Sequence, residues 1–317
     1  MFGRLRLSCR ACRMGGLMGT GANNTAVVVS PQQTARMQRF QCSDSVDLHC
    51  HCLPGLDDGP ATMEESLVLC RALVADGITT AIATPHQLGR YDGRNGSAVV
   101  REAVASLQAC LLNQGIALRI LPGGDIRLDE RLVRLVEEDL VTTIADMGKC
   151  LLVELPHEIY VDPAVLLERL AEAGLIPVIT HPERHRYVQQ HADVVQGWVE
   201  QGAVLQITAG SLVGEFGQGA EKASRYWIAK GWVGVVASDA HGAERPPRMT
   251  QAIEALHTEF GLEAARDLCV VNPARLAAGE NASPAMMPRI ASGSVNACRQ
   301  FGANGPGLQR KPVLALG

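Results

Sequence analysis

Apolar positions along residues 44–279 follow two alternating patterns. Short runs rich in Val, Ile and Leu indicate buried strands, and each run is followed by a longer segment whose apolar positions recur with a helical period. The predicted strands are Ser45–His51, Thr79–Pro85, Ala117–Ile126, Cys150–Leu155, Ile176–His181, Ala203–Thr208 and Gly234–Asp239. The predicted helices cover residues 63–76, 97–114, 129–139, 163–173, 191–201, 219–230 and 249–260.

Seven strand–helix units in series predict an α/β fold with a parallel sheet, closed into a (β/α)7 barrel. Several predicted helices reach a Gly directly before the next strand, as at Gly77 and Gly174, and Gly commonly ends a helix. An open, doubly wound sheet is the alternative. The sequence contains neither GxGxxG after the first strand nor GxxxxGK[ST], so the nucleotide-binding forms of that alternative lose support.

The two ends of the chain lack these patterns. Residues 1–43 contain six Arg and no acidic residue, which predicts a disordered N-terminal arm, and Met37 is an alternative start of the natural chain. Residues 280–317 are rich in Gly, Ser, Pro and Ala and predict a disordered C-terminal tail. No apolar run reaches about 18 residues, so we expect no membrane-spanning helix.

Charge narrows the possible ligands. The formal net charge is -4, but residues 44–279 contain 19 Lys and Arg against 32 Asp and Glu, a balance of -13. Such a domain lacks the basic surface that nucleic acid binding requires, and it favours cations. The ten Cys form no compact disulfide pattern. A reducing, cytoplasmic location is therefore expected.

Side chains that can bind metal ions occur at the downstream ends of six predicted strands. In an α/β barrel these ends meet on one face, where active sites are built. The residues are His49, His51, His86, Asp125, Glu154, His181, Asp239 and His241. For any one of these residues, a polar side chain at a strand end without a functional role is a reasonable alternative. That alternative does not account for such side chains at the downstream ends of six strands.

Alternation along the first strand separates two kinds of side chain. Because successive residues of a strand point to opposite faces, Asp47, His49 and His51 are expected to share one face. Cys50 and Cys52 are then expected on the other face, as packed thiols rather than as ligands of a Cys/His zinc site. Two His two residues apart can bind one metal ion.

The loop after the first strand carries the adjacent acids Asp57 and Asp58. A solvated turn is one interpretation, and a ligand role for one of the pair is the other. With Asp58, the candidate ligands number nine, whereas a single zinc ion requires about four. Two or three ions are therefore possible if a carboxylate bridges them. Such mixed sites suit the hydrolysis of phosphate esters.

Two Arg follow strand ends and are candidates for phosphate binding. Arg184 lies in the loop after the fifth strand, and Arg245 lies in the loop after the seventh. A guanidinium can hold a phosphoryl group in a forked geometry that Lys cannot provide. The alternative is a pair of surface ion pairs, with Glu183 and Glu244 as partners.

Three further residues give weaker signals. His157 and His185 also follow strand ends, and they are candidates for contact with a metal-binding side chain or with the substrate. Cys269 precedes Arg275 with the Cys-x5-Arg spacing of cysteine-dependent phosphatases. The intervening Val, Asn and Pro do not form the Gly-rich cradle that such enzymes require, so this match is interpreted as chance.

The motifs taken together resemble the polymerase and histidinol phosphatase (PHP) superfamily, and most closely its CpsB/YwqE-type bacterial tyrosine phosphatases. They are DLHCHCLPGLDDGP (47–60), ATPH (83–86), LVE (152–154), VITHPER (178–184) and ASDAH (237–241), the last followed by RPP (245–247). The resemblance covers about residues 45–279. Its specific parts are HxHxLPxxDDGP and the RPP after the last His.

The resemblance implies a distorted, parallel barrel of PHP type with three divalent ions, usually Mn²⁺, with Fe or Zn as alternatives. The implied ligands are His49, His51, Asp125 and Asp239 for one ion, Asp125, Glu154 and His181 for a second, and Asp58, His86 and His241 for a third. Asp125 stands where the family usually has Glu. Arg184 and Arg245 match the phosphate-binding arginines of the family.

The implied activity is hydrolysis of phosphotyrosine by in-line attack of a metal-bound hydroxide, without a covalent intermediate. The implied substrate is a tyrosine autokinase of polysaccharide export, which links the protein to capsule or exopolysaccharide synthesis. A PHP phosphoesterase for a small metabolite such as histidinol phosphate is the first alternative. A metal-dependent amidohydrolase is less favoured because no Lys occupies a bridging position. A catalytically idle metal-binding scaffold is the alternative from another class.

Overall fold

The structure is a computed structural model that describes residues 45–282. The predicted disordered arm at 1–43 lies outside the described residues, as does the predicted tail beyond residue 282. Among the described residues, no helix is both long enough and apolar enough to cross a bilayer.

Residues 45–282 contain nine strands, and every pairing between them is parallel. The strands are β1 (Val46–Cys50), β2 (Thr80–Ala83), β3 (His86–Gln87), β4 (Arg119–Pro122), β5 (Asp125–Arg127), β6 (Cys150–Glu154), β7 (Ile176–Thr180), β8 (Val204–Thr208) and β9 (Val233–Ala237). They form a three-stranded sheet in the order β1-β2-β4 and a six-stranded sheet in the order β3-β5-β6-β7-β8-β9.

Helices and short helical turns separate the strands. The α-helices are α1 (Met63–Ala75), α2 (Ser97–Asn113), α3 (Leu132–Glu137), α4 (Ala164–Glu172), α5 (Arg186–Gln190), α6 (Ala192–Glu200), α7 (Ala209–Leu212), α8 (Gly217–Ala229), α9 (Met249–Phe260), α10 (Leu262–Arg266) and α11 (Asn272–Ala277). Three 3₁₀ turns lie at Gly89–Tyr91, Ile144–Asp146 and Pro182–Arg184, and a π-helical turn lies at Asp267–Val271. A helix occupies each of the seven predicted helical segments.

The first and last strands close the sheets into a barrel. The His51 amide donates to the Ala240 carbonyl at 2.9 Å, and the Asp239 amide donates to the His49 carbonyl at 2.8 Å. The barrel predicted from seven strand–helix units is therefore confirmed. An open doubly wound sheet is excluded, because its two edge strands would not pair with each other.

Two irregularities distort the barrel. The run 117–126 is divided into β4 and β5, and the run 79–85 contains β2 and is followed directly by the short strand β3, which was not predicted. The break between β4 and β5 lies at Gly123 and Gly124, which closely approach the neighbouring chain segments. A Cβ on Gly124 would lie 2.1 Å from the Gln87 Oε1 atom, and a Cβ on Gly123 would lie 2.5 Å from Ile82 Cγ2. Only Gly fits this crossing, and the strands change sheet there.

Strand β1 contains a second irregularity. Its register against β2 shifts between Asp47 and Cys50. The Asp47 carboxylate accepts hydrogen bonds from the Ser238 amide at 2.9 Å and from the Ser238 hydroxyl at 2.5 Å. The expectation that Asp47 shares a face with His49 and His51 is therefore wrong, because the shift interrupts strict alternation. Asp47 instead ties β1 to the end of β9.

Alternation along β6 shows how the barrel is filled. Cys150 and Leu152 belong to an apolar cluster of strand residues inside the barrel. Leu151 and Val153 belong to the larger cluster between strands and helices. Glu154 continues the inward series at the end of the strand and is 6% exposed. Because apolar side chains fill the interior, polar chemistry is confined to the end of the barrel where the strands finish.

The crossing at Gly124 yields a stability prediction. We expect Gly124→Ala to lower the free energy of unfolding by about 1–3 kcal/mol, since the buried Gln87 side chain would have to leave its hydrogen bonds to Thr142 and Asn95. Denaturant unfolding followed by circular dichroism measures the change.

Gly197→Ala is the matched control. This Gly lies in the middle of α6, where an added Cβ meets no atom within 4 Å. The control should be neutral or stabilising by up to about 1 kcal/mol, because Ala favours helix. Equal losses in the two variants would contradict the packing argument.

Candidate metal centre

All nine candidate ligands lie at one end of the barrel, where they form four overlapping groups. Within each group, one N or O atom per residue lies within 4.8 Å of the others. The groups are His49, His51 and Asp239; His51, Asp58, His86 and His241; His86, Asp125 and Glu154; and His49, Asp125 and His181. Asp58, His86, Glu154, His181 and Asp239 also line a cavity of about 350 Å³.

Asp239 lies between His49 of β1 and His51, which directly follows that strand. Its Oδ1 atom is 3.3 Å from His49 Nε2 and 3.3 Å from His51 Nε2, and these two nitrogens are 3.0 Å apart. Asp239 has φ 51° and His181 has φ 34°. Left-handed backbone is costly for residues other than Gly, and it recurs at functional sites.

Asp58 joins the ends of two other strands. Its Oδ1 atom lies 3.4 Å from His86 Nε2 and 3.5 Å from His241 Nε2. The loop that carries Asp58 packs closely against the main chain at the end of β1. A Cβ on Gly59 would lie only 2.5 Å from the His51 carbonyl oxygen. Close backbone packing at Gly59 therefore sets the position of Asp58.

Asp125 lies at the centre of the cluster. Its Oδ2 atom is 3.3 Å from His86 Nδ1, 3.6 Å from His49 Nε2 and 3.9 Å from His181 Nε2. Its Oδ1 atom accepts a hydrogen bond from the Thr180 hydroxyl at 3.1 Å. Burial would raise the pKa of Asp125, but the imidazoles of His49 and His86 lower it well below its usual range. Its carboxylate is thus ionised at neutral pH.

Three histidines are oriented through their second ring nitrogen. In each case Nδ1 donates to an oxygen, and a metal-binding histidine is usually held in this way. The acceptors are Gln206 Oε1 for His49 at 3.0 Å, Asp57 Oδ2 for His51 at 2.7 Å, and the main-chain oxygen of Asp239 for His241 at 2.9 Å. In the neutral imidazole, each Nε2 therefore carries a lone pair toward the centre of the cluster.

This donor arrangement fits divalent cations. The Nε2 atoms of His49 and His51 face each other across 3.0 Å, so either a proton or a cation must lie between them. Asp125 Oδ2 and His181 Nδ1 are buried, and neither has a hydrogen-bond partner among residues 45–282. Buried polar atoms without partners cost free energy, and ions at the centre remove much of that cost. Nitrogen and oxygen donors without thiolates suit Mn, Fe or Zn.

Protonation also agrees with metal binding. Burial lowers the pKa of His49 and of His181, so both imidazoles are neutral at pH 7, the form that binds a metal. Burial alone would lower the pKa of His51 as well, but the carboxylates of Asp57 and Asp239 raise it to about 9. In the metal-free protein His51 therefore carries the proton that a cation would replace.

Both predicted arginines reach the cavity. Arg184 Nη2 donates to Thr208 Oγ1 at 2.5 Å and also to Asp239 Oδ2, and its guanidinium lies 4.0 Å from the centre of the Phe216 ring. Arg245 Nη1 lies 3.3 Å from Asp239 Oδ2. The ring of Phe216 thus supports the plane of the Arg184 guanidinium.

The alternative of a surface ion pair between Glu183 and Arg184 is wrong. Glu183 is fully buried and accepts hydrogen bonds from the Thr208 amide at 3.0 Å and the Ser211 hydroxyl at 2.7 Å. It anchors the turn that carries Arg184 to the end of β8. The ion pair that the structure gives Arg245 is with Asp239.

Several supporting residues were not expected from the sequence. Gln206 orients His49, Thr180 orients Asp125, and Phe216 orients Arg184. Asp57 orients His51 instead of occupying a solvated turn. A signal existed for Gln206, because it is the polar residue within the apolar strand VLQIT. Phe216 gave no signal, since a single aromatic residue in a loop has many explanations.

A further group of neighbouring ring nitrogens belongs to His157, His181 and His185. The rings of His157 and His185 are stacked, with centroids 4.6 Å apart and an interplanar angle of 0°. An imidazole binds a metal in the plane of its ring, so two stacked parallel rings do not direct lone pairs at one ion. We therefore do not count this cluster as a further centre, and contact with substrate remains a prediction for His157 and His185.

The Cys-x5-Arg match is confirmed as chance. Cys269 is fully buried in the π-helical turn, and burial raises the pKa of its thiol. A reactive cysteine requires the opposite, a lowered pKa and an accessible sulfur. Cys50 and Cys52 are likewise buried in the outer apolar cluster, as strand alternation predicts.

Comparisons with known proteins agree with this site. Residues 45–278 match the family model described as capsular polysaccharide synthesis, CpsB/CapC. The tyrosine-protein phosphatase YwqE of Bacillus subtilis is 38% identical over 221 residues, covering 69% of this chain and 86% of that protein. The putative tyrosine-protein phosphatase CapC of Staphylococcus aureus is 31% identical over 210 residues, covering 66% and 81%.

A solved structure is also similar. It belongs to a study of YwqE from Bacillus subtilis and CpsB from Streptococcus pneumoniae, described there as unique metal-dependent tyrosine phosphatases. The TM-score is 0.72 at 34% sequence identity, and the match covers 77% of this chain and 98% of that one. The barrel and its closure are therefore those of a known metalloenzyme fold.

The unsatisfied donors lead to a prediction about metal and stability. We expect Mn²⁺ at one hundred times its Kd to stabilise the metal-free protein by about 2.7 kcal/mol, which raises Tm by about 5–10 °C for a domain of this size. Differential scanning calorimetry with and without chelator measures the shift.

His86→Ala should reduce this stabilisation, and His257→Ala, on the exposed side of α9, should leave it intact. The histidine cluster would not be a metal centre if Tm were independent of divalent ions in the unsubstituted protein.

Proposed function

Because the chain belongs to the CpsB/CapC family of capsular polysaccharide synthesis, we propose that it is a metal-dependent protein-tyrosine phosphatase. The observation that carries the proposal is the position of two guanidinium groups beside a cluster of nine His, Asp and Glu ligands at one cavity. A cationic rim next to a multi-metal centre suits a phosphate monoester.

We propose three divalent ions at the cluster, with Mn²⁺ as the first choice and Fe or Zn as alternatives. The proposed ligand sets are His49, His51, Asp125 and Asp239; Asp125, Glu154 and His181; and Asp58, His86 and His241. In the structure Glu154 groups with His86, so His86 is a further candidate for the second set. When bound, such ions activate water and neutralise charge on phosphate oxygens.

The residues of the chain hold and orient the phosphate. Arg184 is fixed in direction by Thr208 and Phe216, so its N–H groups are held ready for phosphoryl oxygens. Arg245 approaches the same carboxylate, that of Asp239, and both arginines line the cavity. Donors fixed before the substrate arrives need no reorganisation during the reaction, which is the main source of electrostatic stabilisation.

The leaving group reduces what the protein must supply. A tyrosine phenol has a pKa near ~10, far below that of an aliphatic alcohol, so its departure requires little help from an acid. This chemistry needs neither a covalent intermediate nor a reactive cysteine. The buried thiol of Cys269 is consistent with that mechanism.

We further propose a tyrosine autokinase of polysaccharide export as the substrate, in support of capsule or exopolysaccharide synthesis. The family description supports the connection with capsule. A reducing cytoplasm is the proposed location, because all six cysteines of residues 45–282 are free thiols and five of them are buried.

The test of function compares two substrates under two metal conditions. Purified protein is assayed on a phosphotyrosine peptide and on histidinol phosphate, with Mn²⁺ and with chelator. We expect a preference for the phosphotyrosine peptide and loss of at least 100-fold in rate after chelation. Cys269→Ser should keep its activity. A preference for histidinol phosphate would favour the small-metabolite alternative, and chelator-resistant turnover would exclude the metal mechanism.

The arginines yield a separate kinetic prediction. We expect Arg184→Lys and Arg245→Lys each to lower kcat/KM for a phosphotyrosine peptide by about 10- to 1,000-fold, because Lys does not reproduce the planar fork. Metal content, measured by atomic emission, should not change.

Arg134→Lys is the control, since Arg134 forms an exposed pair with Glu138 on α3. Unchanged kcat/KM in both cavity variants would remove the arginines from the proposed phosphate site.

A further inference from the structure

One stretch of the cavity lining differs in composition from the rest. Leu88, Gly89, Arg90 and Tyr91 form this stretch of the cavity wall. Leu88 and Tyr91 are the apolar side chains of the described cavity lining, and the other side chains are charged or polar. A phosphate bound at the metal centre carries its organic group outward, so this wall is where an apolar group would find contact.

Tyr91 lies close to the proposed metal centre. Its ring is nearly parallel to that of His86, with centroids 5.8 Å apart and an interplanar angle of 12°. Arg90 covers part of the Tyr91 ring at 4.8 Å and also contacts Asp58 at 3.2 Å. Tyr91 is therefore one ring away from a candidate metal ligand.

The stretch is held in place at both ends. The Asn95 side chain donates to the main-chain oxygens of Leu56 at 2.8 Å and His86 at 3.0 Å. Arg131 donates to Asp92 at 3.0 Å. A wall fixed in this way contacts a ligand without first losing conformational freedom.

The backbone of Leu88 is strained. It has φ 66° and ψ -167°, a conformation that essentially only Gly adopts freely. Despite this cost, the position carries a large apolar side chain that is 7% exposed. Leu88 packs into the main apolar core, and the turn that follows it places Tyr91 at the cavity.

We propose that Tyr91, in a turn anchored in the core by Leu88, provides the contact surface for the aromatic ring of the substrate, which makes the site selective for aryl over alkyl phosphates. The inference rests on the proposed phosphatase function and deepens it, because it explains how phosphotyrosine would be preferred to phosphoserine. Tyr91 acts by contact with the ring of the substrate, and the reacting atoms lie elsewhere.

Binding of non-hydrolysable ligands tests the surface independently of turnover. Isothermal titration of the manganese-loaded protein compares phenylphosphonate with methylphosphonate, which share the anionic group and differ in the aryl ring. We expect Tyr91→Ala to weaken phenylphosphonate binding by about three- to tenfold, the size of one aromatic contact. Methylphosphonate binding should be unchanged, and Tyr91→Phe should behave as the unsubstituted protein.

Kinetics supply the second readout. Tyr91→Ala should raise KM for a phosphotyrosine peptide with a smaller change in kcat, at unchanged metal content. Tyr226→Ala removes a ring that packs against Trp232 outside the cavity lining, and it should leave both ligands unaffected. An unchanged ratio of phenylphosphonate to methylphosphonate affinity in Tyr91→Ala would overturn the proposal. A protein that binds phenylphosphonate through Tyr91 but does not hydrolyse phosphotyrosine would instead contradict the proposed function alone.

Discussion

The carboxylate of Asp125 is the constraint on which the rest of the site depends. It is fully buried, ionised, and surrounded by the imidazoles of His49, His86 and His181, with one oxygen that no hydrogen bond satisfies among the described residues. A buried charge of this kind is costly unless it is paired. Divalent cations at the cluster would complete its pairing, so we expect metal binding to stabilise the domain as well as to serve the proposed chemistry.

The fold orients two histidines of the cluster through hydrogen bonds from their Nδ1 atoms, on the side of each ring that faces away from the cluster. Gln206 of β8 holds His49, and Asp57 in the loop after β1 holds His51. Asp47 joins β1 to β9 through Ser238, and that junction brings Asp239 between the two histidines. Elements distant in sequence thus converge on a few ring nitrogens, and small errors in barrel closure would move the ligands apart.

The sequence predicted the location of the candidate ligands better than their grouping. A His, Asp or Glu at a strand end lies at one end of the barrel whatever its rotamer, so all nine candidates came together. The grouping of Glu154 with His86 depends on side-chain directions, and strand periodicity does not report these. Asp47 was misplaced because a register shift in β1 leaves no trace in the apolar pattern. Tyr91 was not predicted, because its proposed role depends on how its loop places it at the cavity.

Asp stands at position 125, where the resemblance implies Glu, and the backbone just before it is closely packed. The Gly123–Gly124 pair approaches β2 and β3 so closely that a Cβ at Gly123 would clash with Ile82 and a Cβ at Gly124 with Gln87. Strand β5 then pairs with β3 so that His86 and Asp125 are register partners. From there Oδ2 is within 3.3–3.9 Å of three imidazole nitrogens. The strand crossing therefore places the short side chain of Asp125 within reach of these imidazoles, and a longer Glu is not needed for that contact.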